Sequence, residues 1–361
     1  MPAKILGTDN PEHIEEAARI LREGGLVAFP TDTVYGVAAL ADPNLHSAKL
    51  QEFKGGRREP FSLHLPDVES ALKFAAPLNE LEEWAVKALS PRGVTVIVAN
   101  GASQTGLGLR VVQDESGSRF LRLADGPVVA TSANHHAQPP LSDPDEIANL
   151  PGLDAVLSAG VLPVRAASSV VRLVRCGLEI LREGAVKQAD LQTLFTQSIE
   201  FVCLGNLNRS AFAHRLIEAM QQYYGDNLAT FVPAYELFSS GLIAHPQASS
   251  PESMQRAAQA FHTDLASHAP TRFSPRNSAE RTLVSMGDDV RAEVQAVDQS
   301  AKCWKVLDPM GGPPEDYVTT TRQVRAQVQS LLARTAMVRP DDAALEATFD
   351  KLFSSTPGDD S

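Results

Sequence analysis

The most constraining feature of this 361-residue chain is an apolar stretch that runs directly into a cysteine, an arginine and a serine. Residues 199–205, IEFVCLG, have the pattern of a buried strand, and a helical pattern begins at residue 210. The stretch FVCLGNLNRS therefore places Cys203 at a turn between a strand and a helix. Such a turn directs backbone N–H groups inward, and the helix dipole adds about half a positive charge.

These surroundings are those of a reactive thiolate. An electropositive turn lowers the pKa of a cysteine thiol from about 8.5 to about 3.5–7.5. Arg209 offers a planar guanidinium that can bind phosphate through two hydrogen bonds. Ser210 could hydrogen-bond the sulfur, and Asn206 could brace the loop. The alternative for Cys203 is a buried and inert core thiol.

The string C-x5-R-S resembles the loop of low-molecular-weight protein tyrosine phosphatases. Three later stretches resemble that family in the same order: FSSG at 238–241, TLVSMGDDV at 282–290 and LDPMGG at 307–312. The resemblance implies that Cys203 attacks phosphorus and that Arg209 binds the phosphoryl oxygens. It also implies that Asp308 protonates the leaving oxygen and later activates water. The implied substrate is a phosphorylated protein or a small phosphate ester.

Some positions depart from the phosphatase pattern. Asn208 stands where that family often has a second cysteine, which removes a loop disulfide. Met310 and Gly311 stand where aromatic residues often follow the Asp-Pro pair, so a flat aromatic substrate loses a wall. Asp308 could also be an ordinary turn-forming residue before proline. The sequence leaves open whether the substrate carries phosphotyrosine, phosphoarginine or a small ester.

The first half of the chain carries a second set of polar residues at the ends of predicted strands. Residues 24–37, GGLVAFPTDTVYGV, indicate a strand that ends in a hydroxyl-rich turn. Open α/β sheets bind ligands at such strand ends. The stretch FKGGRREP supplies Lys54 and Arg57 as a phosphate clamp, and the strand PVVATS leads to Ser132 and Asn134.

This second set resembles the YrdC-like threonylcarbamoyl-AMP synthase family over about residues 10–186. In that family L-threonine, bicarbonate and ATP with Mg²⁺ give threonylcarbamoyl-AMP and pyrophosphate, and the product feeds the threonylcarbamoyl modification of tRNA adenosine. The resemblance implies contacts of threonine with four residues: Thr33, His64, Arg110 and Ser169. It implies contacts of ATP with five more: Lys54, Arg57, Ser132, Asn134 and Arg182.

Four features depart from the synthase pattern: two glycines between Lys54 and Arg57, SPRGVT at 90–95 in place of WPGPLT, His135-His136-Ala137 after Ser-Ala-Asn, and Arg172 in place of an aspartate. A second interpretation therefore makes the first half a non-catalytic module that binds nucleotide or RNA, attached to an active phosphatase. His64 could also be a hydrogen-bonded strand histidine, and the basic loop a solvated charge run.

Composition excludes several classes of protein. The formal net charge is −12, and neither half has the basic excess of a nucleic-acid-binding domain. Three scattered cysteines are too few for a disulfide framework or a zinc site, so we expect no metal site in the protein. The N-terminus lacks the features of a signal peptide, and no apolar run reaches the roughly 18 residues of a membrane span. We expect a cytoplasmic protein without a membrane partner, with RNA or the tRNA-modification machinery as an implied partner.

Strands alternate with helical patterns in both halves, which predicts two α/β domains. We expect a YrdC-like domain with a twisted α/β sheet over residues 1–186 and a linker at 187–198. A Rossmann-like phosphatase domain with a small parallel sheet is expected over 199–335. The remainder, 336–361, is rich in aspartate and polar residues, and we expect a loosely ordered tail.

Overall fold

The computed structural model describes six ranges: residues 2–42, 47–55, 60–100, 103–134, 138–332 and 343–353. The chain forms two compact units. The first lies within Met1–Leu173 and Ile180–Phe195. The second lies within Val174–Glu179, Thr196–Arg334 and Val338–Ser361. Each unit combines helices with strands, which confirms the predicted α/β class.

The first unit is built on a mixed sheet. Its strands, in chain order, are β1 (Lys4–Gly7), β2 (Val27–Phe29), β3 (Gly36–Leu40), β4 (Ser62–Leu65), β5 (Val94–Asn100), β6 (Ser103–Val111), β7 (Val128–Ser132), β8 (Ala155–Ser158), β9 (Ser169–Val174) and β10 (Gly177–Arg182). The stretch Val174–Glu179, which includes the end of β9 and the start of β10, belongs to the second unit. The strands lie in the order β1-β8-β2-β3-β7-β4-β6-β5-β9-β10. The pairs β4–β6 and β5–β9 are parallel, whereas β3–β7 and β5–β6 are antiparallel.

The helices of this unit are α1 (Pro11–Arg22), α2 (Ala48–Phe53), α3 (Val68–Ala75), α4 (Glu80–Leu89), α5 (Glu115–Leu123), α6 (Pro144–Ala148) and α7 (Gln188–Phe195). Helix α1 begins after Asn10, because the Asn10 side chain accepts from the N–H of Glu12 and proline follows Asn10. Ile14 and Leu21 of α1 lie seven residues apart on one face of the helix and are buried. Burial of each such side chain contributes about 1.5–3 kcal/mol.

Residues 187–198 differ from the linker that we expected. Most of them form α7, in which Leu191 and Phe195 are fully buried. Phe195 also accepts a 3.0 Å hydrogen bond at its carbonyl oxygen from Trp84 Nε1. Apolar residues four positions apart share one face of a helix, so this stretch packs on its unit instead of spanning a gap.

The second unit contains the predicted small parallel sheet. Its strands are β11 (Gln197–Cys203), β13 (Tyr235–Gly241), β14 (Thr282–Ser285) and β15 (Lys302–Cys303). They pair in parallel in the order β13-β11-β14-β15. A short strand, β12 (Phe231–Pro233), pairs antiparallel with Gly177–Glu179. The sequence predicts a short strand near residues 304–308, and strand β15 lies just before them.

The helices of the second unit are α8 (Arg209–Asn227), α9 (Glu252–Gln259), α10 (Pro275–Ser278), α11 (Arg291–Gln295), α12 (Pro314–Leu331) and α13 (Ala343–Phe353). Helix α8 follows directly on the loop after β11, as the sequence predicts. Within the described ranges, no helix is long and apolar enough to cross a lipid bilayer.

The stretch Ala343–Phe353 differs from the loosely ordered tail that we expected. It forms α13, in which Phe349 and Phe353 are buried. The Tyr224 hydroxyl donates a 2.6 Å hydrogen bond to the Glu346 carboxylate. Two phenylalanines one helical turn apart give α13 an apolar face, and that face packs on the second unit.

Candidate functional site

The loop between β11 and α8 surrounds the sulfur of Cys203 with polar groups. The backbone N–H of Asn206 donates to Cys203 Sγ at 3.2 Å, and Ser210 Oγ lies 2.9 Å from the same sulfur. Cys203 is 3% exposed and lines a cavity of about 210 Å³. The Ser210 hydroxyl, for which the sequence suggests a hydrogen bond to the sulfur, thus lies within hydrogen-bonding distance of it.

Asn206 holds the loop in shape through four hydrogen-bonding groups. Its side-chain amide donates to Ser210 Oγ at 2.9 Å, and its Oδ1 accepts from the backbone N–H of Thr271 at 2.8 Å. His268 Nε2 lies 3.0 Å from the Asn206 carbonyl oxygen. The backbone of Asn206 has a φ of 55°, a left-handed conformation that asparagine tolerates better than most residues.

The neighbouring strand β13 fits tightly against this loop at Gly241. Cys203 and Gly241 are paired residues of the parallel strands β11 and β13. A Cβ atom at Gly241 would lie 2.7 Å from both the Asn206 nitrogen and the Leu204 oxygen. Only glycine leaves room for the loop at this point, which explains the FSSG ending of the strand.

Arg209, the first residue of α8, is held by two carboxylates. Its Nη1 and Nη2 donate to the two oxygens of Asp289 at 2.9 and 2.8 Å, and Nη2 also donates to Asp308 Oδ2 at 2.7 Å. The guanidinium is 2% exposed, whereas both carboxylates are about a third exposed. The predicted acid, Asp308, therefore lies beside the predicted phosphate ligand.

The electrostatics of this group keep the guanidinium charged. Burial alone would lower the pKa of Arg209, but the hydrogen bond to Asp289 and the nearby Cys203 and Asp308 raise it. The hydrogen bond from Arg209 in turn lowers the pKa of Asp289. Sequence reasoning missed Asp289, although its position just after the strand TLVSMG was a usable signal.

The cavity beside Cys203 contains the predicted catalytic residues and several apolar side chains. Cys203, Arg209 and Asp308 all line it. Its apolar lining consists of Leu204, Leu207, Ile243, Ala248 and Met310. A thiol, a fixed guanidinium and a carboxyl group around one cavity are the components of nucleophilic attack on a phosphate ester.

The first unit has a cavity of about 280 Å³ where β3, β4, β6 and β7 lie side by side. Five of the predicted ligand contacts line it: Thr33, His64, Arg110, Ser132 and Arg182. Register brings them together, because His64 pairs with Arg110 across β4–β6 and Gly36 pairs with Ser132 across β3–β7.

Arg110 is buried and already engaged. Its Nη2 donates to Asp32 Oδ2 at 2.7 Å, and its Nη1 donates to the Ser90 carbonyl oxygen at 3.0 Å. Asp32 belongs to the turn that the sequence marked as a ligand site, but it was not among the predicted contacts. Arg110 lines the cavity, and Asp32, which is not among the lining residues, pairs with its guanidinium.

His64 faces the same cavity as a neutral ring. Burial lowers its pKa to about 4, and the charge of Arg110 contributes in the same direction. Its Nδ1 lies 3.0 Å from the Ser62 carbonyl oxygen. The ring therefore carries no charge near neutral pH and can offer Nε2 to a ligand without repelling a cation.

Three of the five predicted ATP contacts form a connected network at the end of β7. Lys54 Nζ donates to the carbonyl oxygen of Asn134 at 3.2 Å and to its Oδ1 at 2.5 Å. Ser132 Oγ donates to the same Oδ1 at 2.6 Å. The structure thus brings together Lys54, Ser132 and Asn134, while Arg57 lies outside the described residues.

Ser169 is not placed as a threonine contact. Its hydroxyl donates to the Val186 carbonyl oxygen at 2.7 Å and accepts from the N–H of Gly184 at 3.0 Å, and the residue is fully buried. Its neighbour Ser168 lines the cavity and accepts at its carbonyl oxygen from Arg182 Nη2 at 2.8 Å. The sequence motif was located correctly, but alternation along β9 turns Ser169 away.

Comparison with known proteins identifies a family in each half. A family model described as telomere recombination, Sua5_yciO_yrdC, matches residues 19–184. One described as low molecular weight phosphotyrosine protein phosphatase matches residues 198–341. A threonylcarbamoyl-AMP synthase of Cellvibrio japonicus is 30% identical over 180 residues, which cover 45% of this chain and 91% of that protein. The chain belongs to the threonylcarbamoyl-AMP synthase family, and its second half carries the match to the phosphatase model, so we refer to the chain as a fusion.

Other similar proteins differ in how much of their length the fusion covers. A threonylcarbamoyl-AMP synthase of Pyrococcus abyssi is 27% identical over 198 residues, or 50% of the fusion, and the fusion spans only 58% of that relative. The crystal structure of a YwlE mutant from Bacillus subtilis matches 38% of the fusion and 96% of its own chain, with 19% identity and a TM-score of 0.32.

Proposed function

We propose that the second unit of the fusion is a cysteine-dependent phosphatase that hydrolyses phosphate monoesters. The observation that supports this most strongly is the hydrogen bond of Arg209 to Asp308 beside the sulfur of Cys203, since all three line one cavity. A phosphoryl group in that cavity would meet a nucleophile, an anion ligand and a proton donor at once.

In the first proposed step the Cys203 thiolate attacks phosphorus and forms an S–P bond. The P–O bond to the leaving group breaks, and protonated Asp308 gives its proton to the leaving oxygen. The N–H of Asn206 and the hydroxyl of Ser210 donate to the sulfur before attack, which stabilises its negative charge. Arg209 binds the equatorial oxygens.

In the second step Asp308, now ionised, takes a proton from water as the water oxygen attacks phosphorus. The S–P bond breaks, the Cys203 thiolate is restored, and inorganic phosphate leaves. Since Arg209 Nη2 is bonded to Asp308 in the structure, a bound phosphate competes for that nitrogen. We infer that substrate binding releases Asp308 toward the leaving group, while Asp289 keeps the guanidinium in place.

The test of this activity is turnover of p-nitrophenyl phosphate by the full chain. Wild-type protein should hydrolyse it, and Cys203→Ser should remove that hydrolysis. An inert wild type would contradict the proposal. Phosphotyrosine and phosphoarginine peptides in the same assay then separate the two protein substrate classes, which the apolar side chains of the cavity do not distinguish.

We propose that the first unit transfers the adenylyl group of ATP to threonylcarbamate, formed from L-threonine and bicarbonate, and releases pyrophosphate. The network of Lys54, Ser132 and Asn134 supports a triphosphate site, because it groups an ammonium, a hydroxyl and an amide beside the cavity. Mg²⁺ would accompany the triphosphate. Catalysis would consist of positioning and charge neutralisation, with no covalent bond to the protein.

The ion pair of Arg110 and Asp32 supports an amino acid as the second ligand. Threonine carries a carboxylate, for which the Arg110 guanidinium in the cavity lining offers a partner, and Asp32 holds that guanidinium in place. The hydroxyl of Thr33, which lies 3.1 Å from that of Thr31, supplies a further polar group at the same end of the cavity. The product would serve a tRNA-modification step in which RNA is the later acceptor.

The assay for the first unit is release of labelled pyrophosphate from ATP by the full chain. Release should require both L-threonine and bicarbonate. Binding of ATP without any release would favour a non-catalytic nucleotide-binding module, an interpretation for which the departures in the basic loop and after Asn134 give a reason. Failure to bind ATP would contradict both the synthase activity and the nucleotide-binding module.

A further inference from the structure

The second unit contains another cavity, of about 360 Å³, that none of Cys203, Arg209 and Asp308 lines. Its wall is shared with the Cys203 loop, because His268 and Thr271 line it and both are hydrogen-bonded to Asn206. Its polar lining is dense: Glu200, His214, Arg215, Ser239, Ser267, His268, Thr271, Arg272, Ser274, Asn277, Ser278 and Arg281. The mechanism proposed above uses none of the three arginines.

The charges of this cavity favour an anion. Three guanidinium groups, those of Arg215, Arg272 and Arg281, line it. Among its described lining residues the acidic side chain is that of Glu200, which is buried and accepts from Ser278 Oγ at 2.6 Å and from Arg281 at 2.9 Å. That carboxylate is therefore already satisfied inside the protein and does not compete for a ligand.

The neutral donors of the cavity fit the same class of ligand. Burial lowers the pKa of His214 to about 4 and lowers the pKa of His268, so both rings are uncharged near neutral pH. His214 Nδ1 lies 3.1 Å from Ser239 Oγ. Rings and hydroxyls of this kind donate hydrogen bonds to oxyanions without adding a charge of their own.

Arg215 provides the observation that points to a missing partner. Its Nη1 forms a 2.6 Å ion pair with Glu218, but its Nε is buried and has no hydrogen-bond partner among the described residues. A buried donor without a partner is destabilising, so an acceptor that enters the cavity gains a hydrogen bond at no cost to an existing one.

We propose that this cavity binds the phosphate group of a small phosphorylated molecule, at a site separate from the Cys203 loop. Guanidinium forks match phosphate oxygens, and the volume lies in the range of about 300–1,000 Å³ that small-molecule sites occupy. The site does not depend on hydrolysis at Cys203. Its ligand would lie against His268, which is hydrogen-bonded to Asn206 of the Cys203 loop.

The test is an NMR titration of the isotope-labelled full chain with inorganic phosphate. Backbone amides of Ser239 and Asn277 report on this cavity, and those of Leu204 and Leu207 report on the Cys203 loop. In the wild type we expect the amides of Ser239 and Asn277 to shift along a saturation curve that differs from the curve of the loop amides. Arg272→Gln should weaken that curve about tenfold and leave the loop curve unchanged.

Control variants distinguish loss of phosphate binding from misfolding and separate this proposal from the phosphatase proposal. Arg276→Gln, an exposed residue that does not line the cavity, should change neither curve. Arg215→Gln should repeat the effect of Arg272→Gln. The proposal is overturned if the amides of Ser239 and Asn277 do not shift in the wild type. It is also overturned if they shift in both cavity variants just as they do in the wild type. If phosphate shifts the cavity amides but not the amides of Leu204 and Leu207, the result contradicts only the phosphatase proposal and supports this one.

Discussion

The two proposed sites are built in opposite ways. In the second unit, one loop and one helix turn supply the nucleophile, the anion ligand and the stabilising donors within Cys203–Ser210, while the carboxylates of Asp289 and Asp308 come from distant segments. In the first unit, residues of the seven strands β3, β4, β5, β6, β7, β9 and β10 and of the segments between them line the cavity. A contiguous site keeps its shape through local backbone geometry, whereas a dispersed site depends on the whole sheet.

The strongest test of this contrast is Cys203→Ser. We expect hydrolysis of p-nitrophenyl phosphate to fall at least about a thousandfold, because the serine hydroxyl is a far weaker nucleophile than a thiolate. Release of pyrophosphate by the first unit should stay unchanged in the same protein. Cys303→Ser, a partly exposed cysteine of the same unit, is the matched control and should retain both activities. Loss of both activities in Cys203→Ser would show that the sites are not separate.

A smaller effect is expected for Asp308→Asn. Loss of the proton donor should lower kcat about a hundredfold for phenyl phosphate. The loss should be smaller for p-nitrophenyl phosphate, whose leaving group needs less protonation. Equal losses for both esters would argue that Asp308 only positions Arg209, to which it is hydrogen-bonded.

In the dispersed site, Arg110→Gln should raise the KM for L-threonine about tenfold to a hundredfold, because one charge-assisted contact is lost. The KM for ATP should change little. Arg92→Gln, an exposed arginine of the same unit, is the control. Because Asp32 would lose its partner in Arg110→Gln, the melting temperatures of this variant and the wild type should be compared. Arg110→Lys keeps the positive charge and should restore part of the affinity for L-threonine. A KM for L-threonine that does not change would remove Arg110 from the site.

The smallest effects concern stability in acid, and here the two units should behave alike. His64 and His214 each have a pKa lowered to about 4 by burial. Between the usual value near 6.5 and 4, the unfolded chain binds more protons than the folded one, so stability falls as pH falls. His64→Gln and His214→Gln should each reduce the loss of melting temperature from pH 7 to pH 5, measured by calorimetry. The exposed His262→Asn should not.

The sequence predicted the contiguous site better than the dispersed one. Cys203, Asn206, Arg209 and Ser210 are close in the chain, so their spacing already contains the geometry. Asp289 escaped notice because its role depends on where α8 aims the Arg209 side chain, which is a tertiary fact. Asp308, which the resemblance to the phosphatase family implied as the acid, lies 2.7 Å from Arg209 Nη2 in the structure.

In the first unit the sequence predicted which motifs matter but not which side chains face the cavity. Thr33 was chosen and lines the cavity, but Ser169 was chosen although its neighbour Ser168 is the one that lines it. Such one-residue differences depend on strand register, which a single sequence does not specify. The strand Gly36–Leu40 was also missed, because it follows directly on the turn that held the motif.

Helix α13 has a practical consequence for work on the second unit alone. A recombinant fragment cut at residue 341, where the family match ends, would lack this helix. The Tyr224 hydroxyl would lose the carboxylate of Glu346, and the aromatic face of Tyr224 would meet water. We expect such a fragment to precipitate during purification, whereas one that runs through residue 353 should remain in solution.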